Sequence, residues 1–158
     1  MKLNTILNPL FRESAQGPRW VFPNDKALET EYKVEYLHHV KHDVGNIFPT
    51  LEKFVQACKK GHPFEVTEAL DGRIQNRSYT RTQQELLAMI KQYRSYPEFR
   101  NEKTVQNLYD RMENGGDLDM PILLKKKHSN NVRVMSGNTR MDVAFQCGVN
   151  PKCLVVEY

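Results

Sequence analysis

Ser136-Gly137-Asn138-Thr139-Arg140 is the stretch whose residue types and spacing come nearest to a binding chemistry. A β-branched run, Val132 to Met135, leads into it, and Met141, Ala144 and Phe145 follow at helical spacing. Gly137 permits a sharp turn where a Cβ would clash, and Ser136, Asn138 or Thr139 is expected to cap the helix that follows. The free N–H groups of a first helical turn, with the Arg140 guanidinium beside them, suit an anion, and the anion expected is phosphate. The alternative is a structural turn in which Arg140 pairs with Asp142 or Glu157.

Further polar residues could extend such a site. Arg73, Asn76 and Arg77 lie in a polar loop and would complete a phosphate cradle from a second segment, or simply be solvated. Hydrolysis or phosphoryl transfer would also need a base or a metal ligand. Glu65, Glu68, Asp71 and Glu98 are available, but none has a partner at diagnostic spacing, so no catalytic residue is assigned. His38 and His42 share a helical face beside His39 and Asp43, yet the glutamate of an H-E-x-x-H pair is missing; they are read as structural or surface histidines rather than a metal centre. Lys125, Lys126 and Lys127, with His128, suggest nucleic-acid contact or a solvated hairpin tip. Tyr79, Tyr93 and Tyr96 could stack on bases or pack helices. Cys58, Cys147 and Cys153 are odd in number and lack C-x-x-C spacing, which argues for reduced core thiols.

The elements that must position these residues can be read in chain order. Residues 1–25, with three prolines and the isolated aromatics Phe11, Trp20 and Phe22, read as an irregular arm pinned through Trp20 and Phe22. Leu28, Tyr32, Tyr36, Leu37 and Val40 predict a helix from about Lys26 to His42, capped by Asn24 or Asp25 and ended by Gly45. Leu51, Phe54, Val55 and Cys58 predict a second helix after Pro49-Thr50. Phe64 to Leu70 reads as a strand ending at Asp71-Gly72. Thr82 with Glu85 has capping-box spacing, and Val105, Leu108, Tyr109 and Met112 mark a helix from about Asn101 or Glu102. Ile122 to Leu124 is expected to pair antiparallel with Val132 to Met135 through a turn at Asn130-Asn131. Pro151 to Tyr158 closes the chain as a strand within the sheet.

Composition is consistent with this layout. The 158 residues fit one domain, with 27% charged and 39% hydrophobic residues, and no apolar run approaches the roughly 20 residues of a membrane helix. The polar, proline-broken N-terminus does not read as a signal peptide, so a cytoplasmic location is expected. Lysines and arginines number 23 against 19 acidic residues, and the net charge of +4 allows an acidic ligand without requiring one.

Pro121-Ile122-Leu123-Leu124, then Gly137-Asn138-Thr139-Arg140, then Ala144, Gly148 and Leu154-Val155-Val156 together resemble the ParB/sulfiredoxin-like superfamily. The helix Thr104 to Met112 is similar to the family's pre-strand helix. Glu65 to Ile74, Asn76-Arg77 and Glu85-Leu86-Leu87 are similar to its first strand, N-x-R-like loop and first helix. Residues 1–61 lie outside the resemblance and form an arm and N-terminal helical extension to a domain over residues 62–158. The resemblance implies an α+β fold with a small mixed sheet and flanking helices, in a compact stand-alone protein of bacteriophage type acting in the host cytoplasm. It implies a nucleoside phosphate, ATP or CTP with Mg2+, at Ser136 to Arg140, and a nucleotide hydrolase or phosphotransferase if there is turnover. The rival readings are a DNA-binding protein or nuclease gripping backbone phosphate, and a non-enzymatic interaction module. The helix-turn-helix domain of a chromosome-partitioning protein is missing, as is the Gly-Gly-Cys-His arrangement of sulfiredoxin. Neither centromere binding nor sulfinic acid repair is therefore implied. The oligomeric state is left open.

Overall fold

The structure, a computed structural model, describes residues 17–41, 45–93 and 100–158. Expectations that fall on Phe11, His42, Asp43, Tyr96 and Glu98, and on the side chains of His39, Val40 and Tyr93, lie outside the described residues.

The fold is mixed α+β. Strands β2 (His62–Glu65), β4 (Ile122–Lys125), β5 (Val132–Ser136) and β6 (Lys152–Glu157) form a sheet in the order β2-β6-β4-β5. β6 is central, antiparallel to β2 and parallel to β4, and β4 pairs antiparallel with β5 as expected. The apolar residues alternate between faces because successive strand side chains point to opposite sides. Ile122, Leu124, Leu154 and Val156 face one core; Leu123, Val134, Cys153 and Val155 face another.

The first face is covered by the N-terminal helices. Helix α1 (Asp25–Glu31) starts at Asn24, whose side chain accepts from the Ala27 N–H at 2.8 Å. It continues into a π-helix over Tyr32–Val40, where a single α-helix was expected. Leu28, Tyr32 and Tyr36 are nevertheless all buried, because a four-residue spacing that drifts around an α-helix is brought back into line by the wider π turn. The tyrosine hydroxyls then fix the next loop: Tyr32 donates to Phe48 O at 2.9 Å and Tyr36 accepts from Phe48 N at 2.7 Å. Helix α2 (Leu51–Lys59), capped by Thr50, adds Phe54 and Cys58 to the same core.

Several expectations are corrected. The strand over Phe64 to Leu70 ends at Glu65, because Thr67 accepts from Leu70 N and starts the short helix α3 (Glu68–Asp71). The arm is not irregular throughout: β1 (Arg19–Val21) pairs parallel with β3 (Asp117–Asp119), and Arg19 grips Asp117 with two bonds of 2.7 and 2.8 Å. Trp20 packs on the core, but Phe22 is exposed. The β4–β5 connection runs from Lys126 to Asn131 rather than turning tightly at the two asparagines.

The second face is covered by helix α6 (Asn138–Gln146), through Met141 and Phe145. Helices α4 (Gln83–Tyr93) and α5 (Glu102–Asn114) pack on the outer side of α6 around Leu86, Val105, Tyr109, Val143 and Ala144. Thr82 accepts from Glu85 N, as its spacing predicts, and Asn101 with Thr104 forms a capping box on α5.

Candidate functional site

The turn between β5 and α6 lies where the sheet, α1 and α5 meet. A bulge in β5 makes Met135 the extra residue between the pairs Ile122–Ser136 and Leu123–Val134, so Ser136 lies opposite Ile122, on the face that α1 covers. Gly137 then takes φ +99° and the helix begins at Asn138. None of Ser136, Asn138 and Thr139 caps it, contrary to expectation; Gly137 occupies the cap position without a side-chain bond. Among the described residues, the amides of Asn138, Thr139 and Arg140 have no hydrogen-bond acceptor, while Met141 N bonds Gly137 O. They keep the partial positive charge of a helix start.

Arg140 folds back over the turn. Its Nη1 donates to Asp119 O at 2.7 Å, and its Nη2 donates to Glu31 Oε1 at 3.0 Å and Ser136 Oγ at 3.2 Å. Ser136 Oγ donates in turn to Glu31 Oε2. Arg140 therefore pairs with Glu31, and not with Asp142 or Glu157. A carboxylate of the helical extension already occupies the serine and arginine of the predicted cradle.

A cleft of about 290 Å³ opens beside the turn. Ser136 to Arg140 form one wall, Glu31 and Glu35 with Thr30 and Val34 a second, and Thr104, Leu108 and Arg111 of α5 a third, with Arg100 at its entrance to α5. Arg100 Nη2 donates to Glu35 Oε1, and Arg111 Nη1 donates to Asp117 O at 3.0 Å. Three arginines thus meet around one cleft, two of them held by glutamates. Arg100, Arg111, Glu31 and Glu35 were not singled out in the sequence. The four-residue spacing of Glu31 and Glu35 was legible, but it looks like that of any solvated helical pair.

Asn138 and Arg77 are brought together, bonded to each other. Asn138 Oδ1 accepts from Arg77 Nη1 at 2.6 Å and from Ser78 N at 3.2 Å, and its Nδ2 donates to Asn76 O at 2.7 Å. Arg77 also bonds Asp71 at 2.7 Å and Asp142 at 2.6 Å, and both its side chain and that of Asp142 are 1% exposed. Ser78 and Thr80 complete the shell around Asp142. Burial alone would lower the Arg77 pKa, but the hydrogen bonds and charges of the two aspartates outweigh it and raise the pKa above the ordinary value. Such a group locks loop 73–80 onto α6. Arg73 is exposed and away from the cleft, as are Glu65 and Glu68.

The remaining candidates are dispersed. Lys125 Nζ lies 3.6 Å from Glu157, and Lys126 and Lys127 are exposed in the loop beyond it. His38 is exposed on the π-helix. Tyr79 turns its hydroxyl to Asp71 O and Ile74 O, with its ring 5.1 Å from the Arg77 guanidinium. Cys58 and Cys153 are buried free thiols, pushed up to about 12 by burial, and Cys147 is raised for the same reason. Among the described residues, no group of three or more histidines, cysteines and carboxylates is placed to hold a metal ion, and no helix is long and apolar enough to cross a membrane.

No protein-family model, curated protein or solved structure matches the chain.

Proposed function

We propose that the protein binds the phosphate end of a nucleoside phosphate in the cleft beside Ser136 to Arg140. The observation that carries this reading is the coincidence of three acceptor-free amides at the start of α6 with three arginines around one cleft. The resemblance of the strand-turn-helix segment to ParB/sulfiredoxin-like proteins supports the same ligand class. Asn138 and Thr139 would supply backbone N–H groups and Thr139 a free hydroxyl. Arg100 and Arg111 are the cations a ligand would meet, and Arg140 braces the turn. Magnesium would enter on the phosphates of ATP or CTP, since Mg2+ commonly binds through one or two carboxylates plus substrate oxygens. Glu31 and Glu35 are each engaged by an arginine, so the arrangement favours holding a phosphate over breaking one.

Thermal shift with ATP, CTP, their diphosphates and inorganic phosphate, with and without Mg2+, tests the proposal. At about 100 times the dissociation constant, a ligand stabilises by about 2.7 kcal/mol, which for this chain length is a shift of roughly 5–10 °C. Arg100→Gln, which disturbs only a partly exposed ion pair, is expected to lose most of that shift while still melting cooperatively. No shift with any nucleotide, or the same shift in wild type and Arg100→Gln, would refute the proposal.

A further inference from the structure

We propose a second, separate site: a basic groove along the β2 edge of the sheet that takes the phosphodiester backbone of a nucleic acid. Lys53 and Gln56 on α2 and Lys60 at its C-terminal cap recur at three- and four-residue spacing, while Phe54 and Cys58 are buried in the core. The groove they border has a volume of about 600 Å³. His62 continues the wall from β2, and Lys127 closes it from the β4–β5 loop, held there by a 2.7 Å bond from its N–H to Tyr158 O.

Charge and chemistry point to the ligand. Lys53, Lys60 and Lys127 have no carboxylate partner among the described residues, and the groove's one acid, Glu157, lies 3.6 Å from Lys125 Nζ. Neighbouring Lys59 differs, being paired with Asp25 outside the groove. Three unpaired ammonium groups around one concavity match the repeating charge of a polyphosphate backbone. No phenylalanine, tyrosine, tryptophan or arginine lines the groove, whose cations are lysines that act as point charges on phosphate, and binding is expected to depend little on sequence. The groove shares no residue with the cleft at Ser136 to Arg140.

Fluorescence anisotropy with labelled duplex DNA, single-stranded DNA and RNA of about 20 nucleotides tests this and separates the possible sources of the backbone. With three phosphates neutralised, duplex affinity should fall with a log–log salt slope of about −2.7, or about 40-fold between about 50 and 200 mM salt. The Lys53→Gln/Lys60→Gln/Lys127→Gln variant changes only exposed side chains and should melt at the wild-type temperature. It should bind at least about tenfold more weakly at low salt, with a slope near zero. Its nucleotide-induced thermal shift should equal that of wild type, which keeps this groove distinct from the cleft. If wild type binds none of the three oligonucleotides at low salt, or the triple variant binds as well as wild type, the groove is not a nucleic-acid site.

Discussion

At the scale of single residues, the two arginines nearest the turn do different work. Arg77 is enclosed by Asp71, Asp142 and Asn138, and no anion from outside can reach it without dismantling that shell. Arg140 is bonded as fully, but its partner Glu31 is a fifth exposed and stands on a wall of the cleft. A phosphate entering beside Arg140 would meet the Glu31 carboxylate as a like charge, so Glu31 restrains the site it helps to build. Glu31→Gln should therefore act in opposite directions on stability and binding. Removing the charge leaves Arg140 and Ser136 with weaker bonds and lowers stability by about 1–2 kcal/mol. The loss of repulsion should tighten nucleotide binding by about three- to tenfold, equivalent to about 0.7–1.4 kcal/mol. Urea unfolding and calorimetric titration on the same preparation measure both, and a variant that loses affinity along with stability would show that Glu31 is not a competing anion.

At the scale of elements, the strand–turn–helix unit depends on the close approach of Gly137 to Pro121. A Cβ on Gly137 would lie 2.6 Å from Pro121 Cβ and 2.8 Å from its Cα, atoms of a rigid ring and backbone, and the φ of +99° adds conformational strain. Gly148 has φ +72° and nothing within 4 Å of an added Cβ, so it isolates the conformational part. Gly148→Ala is expected to cost about 1–2 kcal/mol and Gly137→Ala about 2–4 kcal/mol, with α6 displaced and the nucleotide shift lost only in the latter. Equal costs would mean that the Pro121 contact relaxes away. This unit was legible in the sequence because the hydrophobic period changes from two to nearly four across a single glycine. The β1–β3 ladder was not, since three residues per strand carry no period and Arg19 lies 98 residues from Asp117. The π-helix was hidden for another reason: the four-residue spacing that signals an α-helix serves it equally well. The cleft was legible on one wall only, because the sequence shows which residues sit at a turn but not that Glu31, Arg100 and Arg111 converge on it from distant segments.

At the scale of the whole molecule, the N-terminal helices and the sheet form one body around a common core. Leu28, Tyr32, Tyr36, Phe48, Phe54 and Cys58 share a single core with Met120, Ile122, Leu124, Met135, Leu154 and Val156. Two buried thiols can test whether this body unfolds as a unit, because Cys58 lies in that core and Cys153 in the core on the opposite face of the sheet. Burial raises both from the ordinary thiol value of 9.0 to about 12. The folded state therefore keeps protons that the unfolded chain releases above pH 9. The stabilisation this represents is fully present below pH 9 and is lost as the pH rises through 9 toward 12. Between pH 9 and pH 10 each thiol should lower the free energy of unfolding by about 1 kcal/mol, or about 2 kcal/mol for both. If unfolding is one cooperative event, Cys58→Ala and Cys153→Ala should each remove about half of that pH dependence, whatever their effect on baseline stability. Urea titrations at the two pH values, followed by tyrosine fluorescence and by far-ultraviolet circular dichroism, provide the measurement. Two transitions, the first sensitive only to Cys58→Ala, would show instead that α1, the π-helix and α2 come away before the sheet unfolds.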